Sequence, residues 1–188
     1  MRLGEAYEKQ GTSDKAAAAF EQALKLNPRL ASATTKLAQL YAGPLQNKEK
    51  ALTYAKKARE LAPGDPQITG VLGKVAYQND NLTWSYSLLQ EAARQREKDP
   101  SILHGLAWAA YTLGKVGEAR EITQKILATG SDFPEAADAR RFLSLTALDE
   151  NPKKLVLPRT RSKRSYKLIL SICPRSWPEA HSMNSAVR

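Results

Sequence analysis

Leucine returns along this chain at Leu3, Leu37, Leu72 and Leu106, in steps of 34, 35 and 34 residues. A small residue follows each one: Gly4, Ala38, Gly73 and Ala107. Two further series keep the same beat, Ala16, Ala51, Ser85 and Ala119, then Ala23, Ala58, Ala92 and Ile126. Pro66, Pro100 and Pro134 are also 34 apart. A fixed period of roughly 20–50 residues marks a chain built from stacked copies of one supersecondary unit, none of which can bury its apolar face alone. All series share one register, broken by one extra residue between Leu37 and Ala51. The turn at Gly43–Lys48 is the expected place for it, because Gly-Pro ends a helix and turns accept insertions.

Within one period the apolar positions describe two helices. Leu, a small residue and then Tyr or Ala lie on one helical face. Ala16, Phe20 and Ala23, then Ala51, Ala55 and Ala58, are spaced i, i+4, i+7, which is a single stripe. Gly11, Asp80 and Gly114 fall where the first helix must stop. Pro28 and Pro63 end the second helix in two units, and the other prolines open the next first helix, where a missing N–H costs little. The predicted fold is all-α, with antiparallel pairs at about 1–10 and 14–26, 31–42 and 48–61, 66–79 and 82–97, 100–113 and 116–128, and a capping helix at 135–148. The cap has Arg140 and Arg141 in place of the leucine and the small residue, with Ala136, Ala139 and Leu143 as its apolar stripe.

Leu3-Gly4, Tyr7, Ala16, Phe20, Ala23 and Pro28 resemble the tetratricopeptide repeat in order and spacing. The resemblance covers residues 1–130 as four units. Thr34, Thr69 and Leu103 replace the leading Trp of that pattern, and Thr123 stands where a large apolar residue is usual. The resemblance implies a right-handed superhelical solenoid that binds a protein or peptide segment in a groove lined by the first helices. A subfamily that receives chaperone tails holds a terminal carboxylate with Lys, Asn and Arg. The matching places here are Glu5, Lys36, Gln39, Gln67 and Gly105, so that set is not assembled.

Charge separates the chain into an array at 1–150 and a tail at 151–188. Of the net +10, residues 1–152 carry +2 and residues 153–188 carry +8. Phosphate contacts supply most non-specific affinity for nucleic acid, so the near-neutral array is not expected to bind it. A nucleic-acid or acidic-lipid role would fall on Arg159, Arg161, Lys163, Arg164 and Lys167, the alternative being a disordered tail or an out-of-frame product. No apolar run is long enough to span a membrane. Met1 falls inside the first helix, so the natural chain is expected to begin upstream or its start to be misassigned, which leaves localisation unread.

No catalytic constellation emerges. His104 and His181 have no carboxylate or nucleophile at a motif spacing, Cys173 is the single cysteine, and no phosphate loop or metal-ligand pair is present. No cofactor or metal is expected. The face left over on each first helix is the candidate site. Thr35 and Gln39 should face the groove in the second unit, Gly70, Lys74, Tyr77 and Gln78 in the third, and His104, Trp108, Tyr111 and Thr112 in the fourth. Glu5 and Glu8 precede them. Tyr77, Trp108 and Tyr111 would form an aromatic floor with Lys74 at its edge. The alternative reading packs Trp108 and Tyr111 between neighbouring helices. Two further functions stay open, a non-catalytic region of a larger enzyme or secretion machine and a tail-driven nucleic-acid role.

Overall fold

The computed structural model describes residues 1–128 and 135–149, the last five by backbone alone. The chain divides into two compact units, Met1–Phe133 and Pro134–Arg188. The division falls ahead of the boundary expected at 150 and places the expected capping helix in the second unit.

The first unit is an array of helix pairs among its described residues: α1 (Arg2–Lys9) with α2 (Ser13–Leu26), α3 (Ala31–Ala42) with α4 (Lys48–Leu61), α5 (Pro66–Gln78) with α6 (Leu82–Gln95), and α7 (Pro100–Thr112) with α8 (Val116–Ala128). The second helices α2, α4 and α6 each pack on their own first helix and on the next one, α8 packs on α7, and α5 also touches α3 and α7. The pairs match the sequence boundaries within two residues or so. Their starts are chemically explicit. Asp65 accepts from the N–H groups of Gln67 and Ile68, Asp99 accepts from those of Ser101 and Ile102, and Asn47 caps α4 through Lys50 N–H. In α5 and α7 a proline follows the cap, at a position whose N–H has no helical partner.

The turns inside the pairs close alike. The backbone N–H groups of Thr12, Asn81 and Lys115 donate to carbonyls five residues back, on Tyr7, Ala76 and Ala110. In the second pair Asn47 donates to Tyr41, six residues back, so the extra residue lies between them, inside the turn. Gly11, Asp80 and Gly114, which stop the first helices, take positive φ, and Gln46 (φ 48°) does so at the fourth equivalent place.

Close approach of the paired helices depends on the small residue after each leucine. A Cβ on Gly4 would lie 2.6 Å from the Phe20 ring, and one on Gly73 would lie 2.7 Å from Leu89 Cγ. Ala38 and Ala107 are buried at the same place. Beneath Gly73 the Ser85 hydroxyl donates to its carbonyl at 2.7 Å, which satisfies a buried polar group. Gly73→Val should therefore destabilise the array by about 1–3 kcal/mol, because α6 cannot retreat without breaking that bond. Urea unfolding checks this, and an unchanged midpoint would mean that the helices separate freely.

The core has two clusters. Phe20, Leu37, Leu72, Val75 and Leu88 belong to the first, and Leu89, Ala92, Ile102 and Leu106 to the second. Thr34, Thr69 and Thr123, three of the four departures from the repeat pattern, are buried, and each hydroxyl donates to a carbonyl four residues back. Tyr41 stacks on Tyr54 at 5.7 Å and donates to Glu21 at 2.8 Å. Burial, and then Glu21, push the Tyr41 phenol up to about 12, so it remains a donor at neutral pH. Leu3 corrects its series. It is 61% exposed, whereas Leu37, Leu72 and Leu106 are buried.

The second unit contains α9 (Ala136–Asp149). Ala136, Ala139 and Phe142 are its buried residues, and Leu143 is half-buried. The expected stripe named Leu143. Phe142 and Leu143, three and four residues after Ala139, share that face, and Phe142 is the more deeply buried of the two. Pro134 and the basic tail from Arg159 to Lys167 lie outside the described residues.

Candidate functional site

The candidate surface runs along the first helices, and their common register aligns it. Glu5, Gln39, Lys74 and Trp108 are equivalent positions, as are Glu8, Ala42, Tyr77 and Tyr111. The first row therefore changes from acid to amide to ammonium to indole along the array.

At the α1–α3–α5 end the surface is polar. Glu5, Thr35, Lys36, Gln39 and Gln67 line a cavity of about 330 Å³ that α1, α3 and α5 share. Lys36 reaches from α3 to Glu8 on α1 at 3.0 Å. Both side chains are about one-third exposed, so the pair is screened and adds little stability, but it fixes where the ammonium sits. Thr35 is more enclosed than expected. It is buried, and its hydroxyl donates to the Ala31 carbonyl at 2.8 Å. Gly70, expected to be open, is buried as well, because α7 packs over it. A Cβ there would meet Ile102 at 3.0 Å.

The α5–α7 end is aromatic. Trp108 Nε1 donates to His104 Nε2 at 3.2 Å, one helical turn apart, and the two rings meet edge to face. Trp108 and Tyr111 are also edge to face, with centroids 6.0 Å apart. All three are half-buried. The structure thus joins His104, Trp108 and Tyr111 into one chain of rings. Tyr77 packs against the second core cluster, and Gln78 is half-buried beside it on α5. Lys74 is drawn towards α7: its stem lies over Gly105, and its Nζ is hydrogen-bonded to Ser101. Neither Ser101 nor the Glu8–Lys36 pair stands out in the sequence. Register alone could have suggested the latter, since Glu8 shares its position with Tyr77.

Among the described residues no group of three or more His, Cys, Asp or Glu side chains converges as a metal site would require. No described helix is long and apolar enough to cross a membrane.

Residues 1–66 match the family model described as Tetratricopeptide repeat. By that match the helices of residues 1–66 are of the tetratricopeptide kind, and the pairs that follow keep the same register. The chain is 27% identical over 140 residues to the general transcriptional corepressor trfA of Dictyostelium discoideum, and 28% identical over 137 residues to the general transcriptional corepressor ssn6 of Schizosaccharomyces pombe. These stretches cover 73% and 70% of the chain but 10% and 12% of those proteins, so the chain spans about a tenth of the length of the curated relatives it matches. A crystal structure of MamA superposes with a TM-score of 0.66 at 20% identity, over 80% of this chain and 86% of that one. YrrB, described as a TPR protein with an unusual peptide-binding site, gives a TM-score of 0.62 at 21% identity, over 81% and 77%. At such identities these likenesses establish the shared fold.

Proposed function

We propose that the array is a non-catalytic scaffold that binds a partner's peptide segment along the row of first helices. The carrying observation is the conversion of one repeated position from Glu5 to Gln39 to Lys74 to Trp108, within a frame whose leucine and small-residue positions hardly vary. A frame that stays constant while one outward position changes chemistry is suited to reading an extended segment, with polar contacts near Gln39 and Lys36 and an apolar anchor near Trp108 and Tyr111. YrrB, whose fold this chain shares, is described as having an unusual peptide-binding site, which supports this reading. The small share of the corepressors that the chain matches favours a finer one, in which the array is the binding region within a larger assembly.

The experiment is selection of peptides from a random display library on the immobilised full chain, followed by affinity and thermal melts of Tyr77→Ala and Trp108→Ala. A hot spot loses at least about 2 kcal/mol on truncation, roughly a 30-fold weaker Kd. The expected result is that loss with melting largely kept. Lower melting temperatures with unchanged affinity per folded molecule would make these rings core residues and move the site elsewhere.

A further inference from the structure

A second surface lies between the second helices α6 and α8, away from the row just described. The repeat itself shows what is unusual there. In the α4–α5–α6 junction, Arg59 Nη1 donates to Thr69 Oγ1 at 2.6 Å, and its Nη2 meets Glu91 at 2.9 Å. One side chain thus bridges three helices and fills the seam. In the next junction, 34 residues on, the same three places hold Ala93, Leu103 and Lys125. The bridging arginine has become a methyl group, its hydroxyl acceptor an isobutyl group, and its carboxylate partner an ammonium. A cavity of about 690 Å³ stands there, with Ala93, Leu103 and Ile122 on its apolar side and Glu97, Lys98 and Lys125 around it. Leu103 and Ile122 are half-buried, and both lysines are exposed.

The charge near the opening also departs from the repeat. The end of α6 and the loop after it carry Arg94, Arg96 and Lys98 against Glu97, with Asp99 committed to capping α7 and to Arg96 at 3.3 Å. The corresponding stretch one unit earlier is Glu60-Leu61-Ala62-Pro63-Gly64-Asp65, which has no base. An apolar recess with a basic rim is complementary to one kind of occupant. That occupant puts an apolar side chain where the Arg59 stem lies in the preceding junction and holds carboxylates beside it.

We propose that this cavity is a second docking site, which takes an acidic segment of a partner protein through one large apolar side chain. The apolar group covers Leu103 and Ile122, and flanking carboxylates pair with Lys98 and Lys125. It is independent of the first-helix row and would stand if that row bound nothing.

The test uses the full chain and a fluorescein-labelled peptide with a central Trp between two pairs of Glu. Two control peptides have Ala at the centre or Lys in the flanks. The informative variant carries Ala93→Arg, Leu103→Thr and Lys125→Glu together, which copies the filled junction onto the open one. The expected result is at least tenfold weaker binding of the Trp-centred acidic peptide to this variant, with melting at or above that of the wild type. Both control peptides should bind the wild type at least tenfold more weakly, added salt should weaken the complex, and Trp108→Ala should leave it unchanged. If the triple variant melts lower, the pair Lys98→Glu and Lys125→Glu, both on exposed side chains, gives the same reading with the core untouched. Equal binding by wild type and variants, or no preference for the acidic peptide, would overturn the proposal. A wild-type dimer that the triple variant makes monomeric, without peptide binding, would overturn it in favour of a second copy as the occupant.

Discussion

Phe20→Ala is expected to lower the unfolding free energy by about 3–5 kcal/mol, read from urea denaturation followed by helical circular dichroism. Phe20 is fully buried, and its ring lies directly under Gly4. Glycine has no side chain to move into the space left behind, so the cavity persists and its cost adds to the lost transfer energy. The short helix α1 has Gly4 as its one buried residue and should loosen first. A second substitution checks the geometry. Gly4→Ala alone should destabilise, because its Cβ would meet the ring at 2.6 Å. In the Phe20→Ala background that clash is gone, and the better helix propensity of alanine should make the same change neutral or stabilising. Additive effects would mean that the two residues do not touch.

Leu72→Ala and Leu106→Ala are each expected to cost about 2–5 kcal/mol. Leu72 is 2% exposed in the first cluster and Leu106 is 5% exposed in the second. In a linear array each unit is stabilised by its neighbours, so the damage should spread. Hydrogen exchange should show faster exchange in α3 and α7 as well as α5 for Leu72→Ala, since α5 packs on both. Melting like the wild type by either variant would mean that the inward face of the first helices has been misidentified.

Most of the array was legible in the sequence because its determinants are local and repeated. Leu72, Gly73 and Ala76 mark the inward face of α5, and Asp65-Pro66 and Asp99-Pro100 mark two helix starts. The misplacements share another cause. Leu3 follows its series, but its exposure depends on what lies beside α1. Gly70 has the phase of an open position, yet α7 covers it through Ile102. Periodicity gives the direction of a side chain within its helix. It does not say whether a neighbouring helix stands in the way. The candidate surface was legible in the same limited sense. His104, Trp108 and Tyr111 were assigned to one face, and they are joined. That Lys74 would reach Ser101, and that Arg59 would bridge three helices, depends on pairs 27 and 32 residues apart that no local pattern encodes.

The hydrogen bond from Asn47 to the Tyr41 carbonyl has a consequence for how such arrays diverge. The turn is closed by its two anchor atoms, whichever number of residues runs between them. A gained residue is therefore taken up as a slightly larger loop, and α4 begins with the same inward face. Selection can lengthen a turn without rephasing anything downstream, and point changes such as the one from Arg59 to Ala93 can then accumulate on a stack that stays in step. Copies of a duplicated segment become free to specialise one junction at a time, and their common ancestry remains visible in the spacing of the leucines long after the rest has drifted.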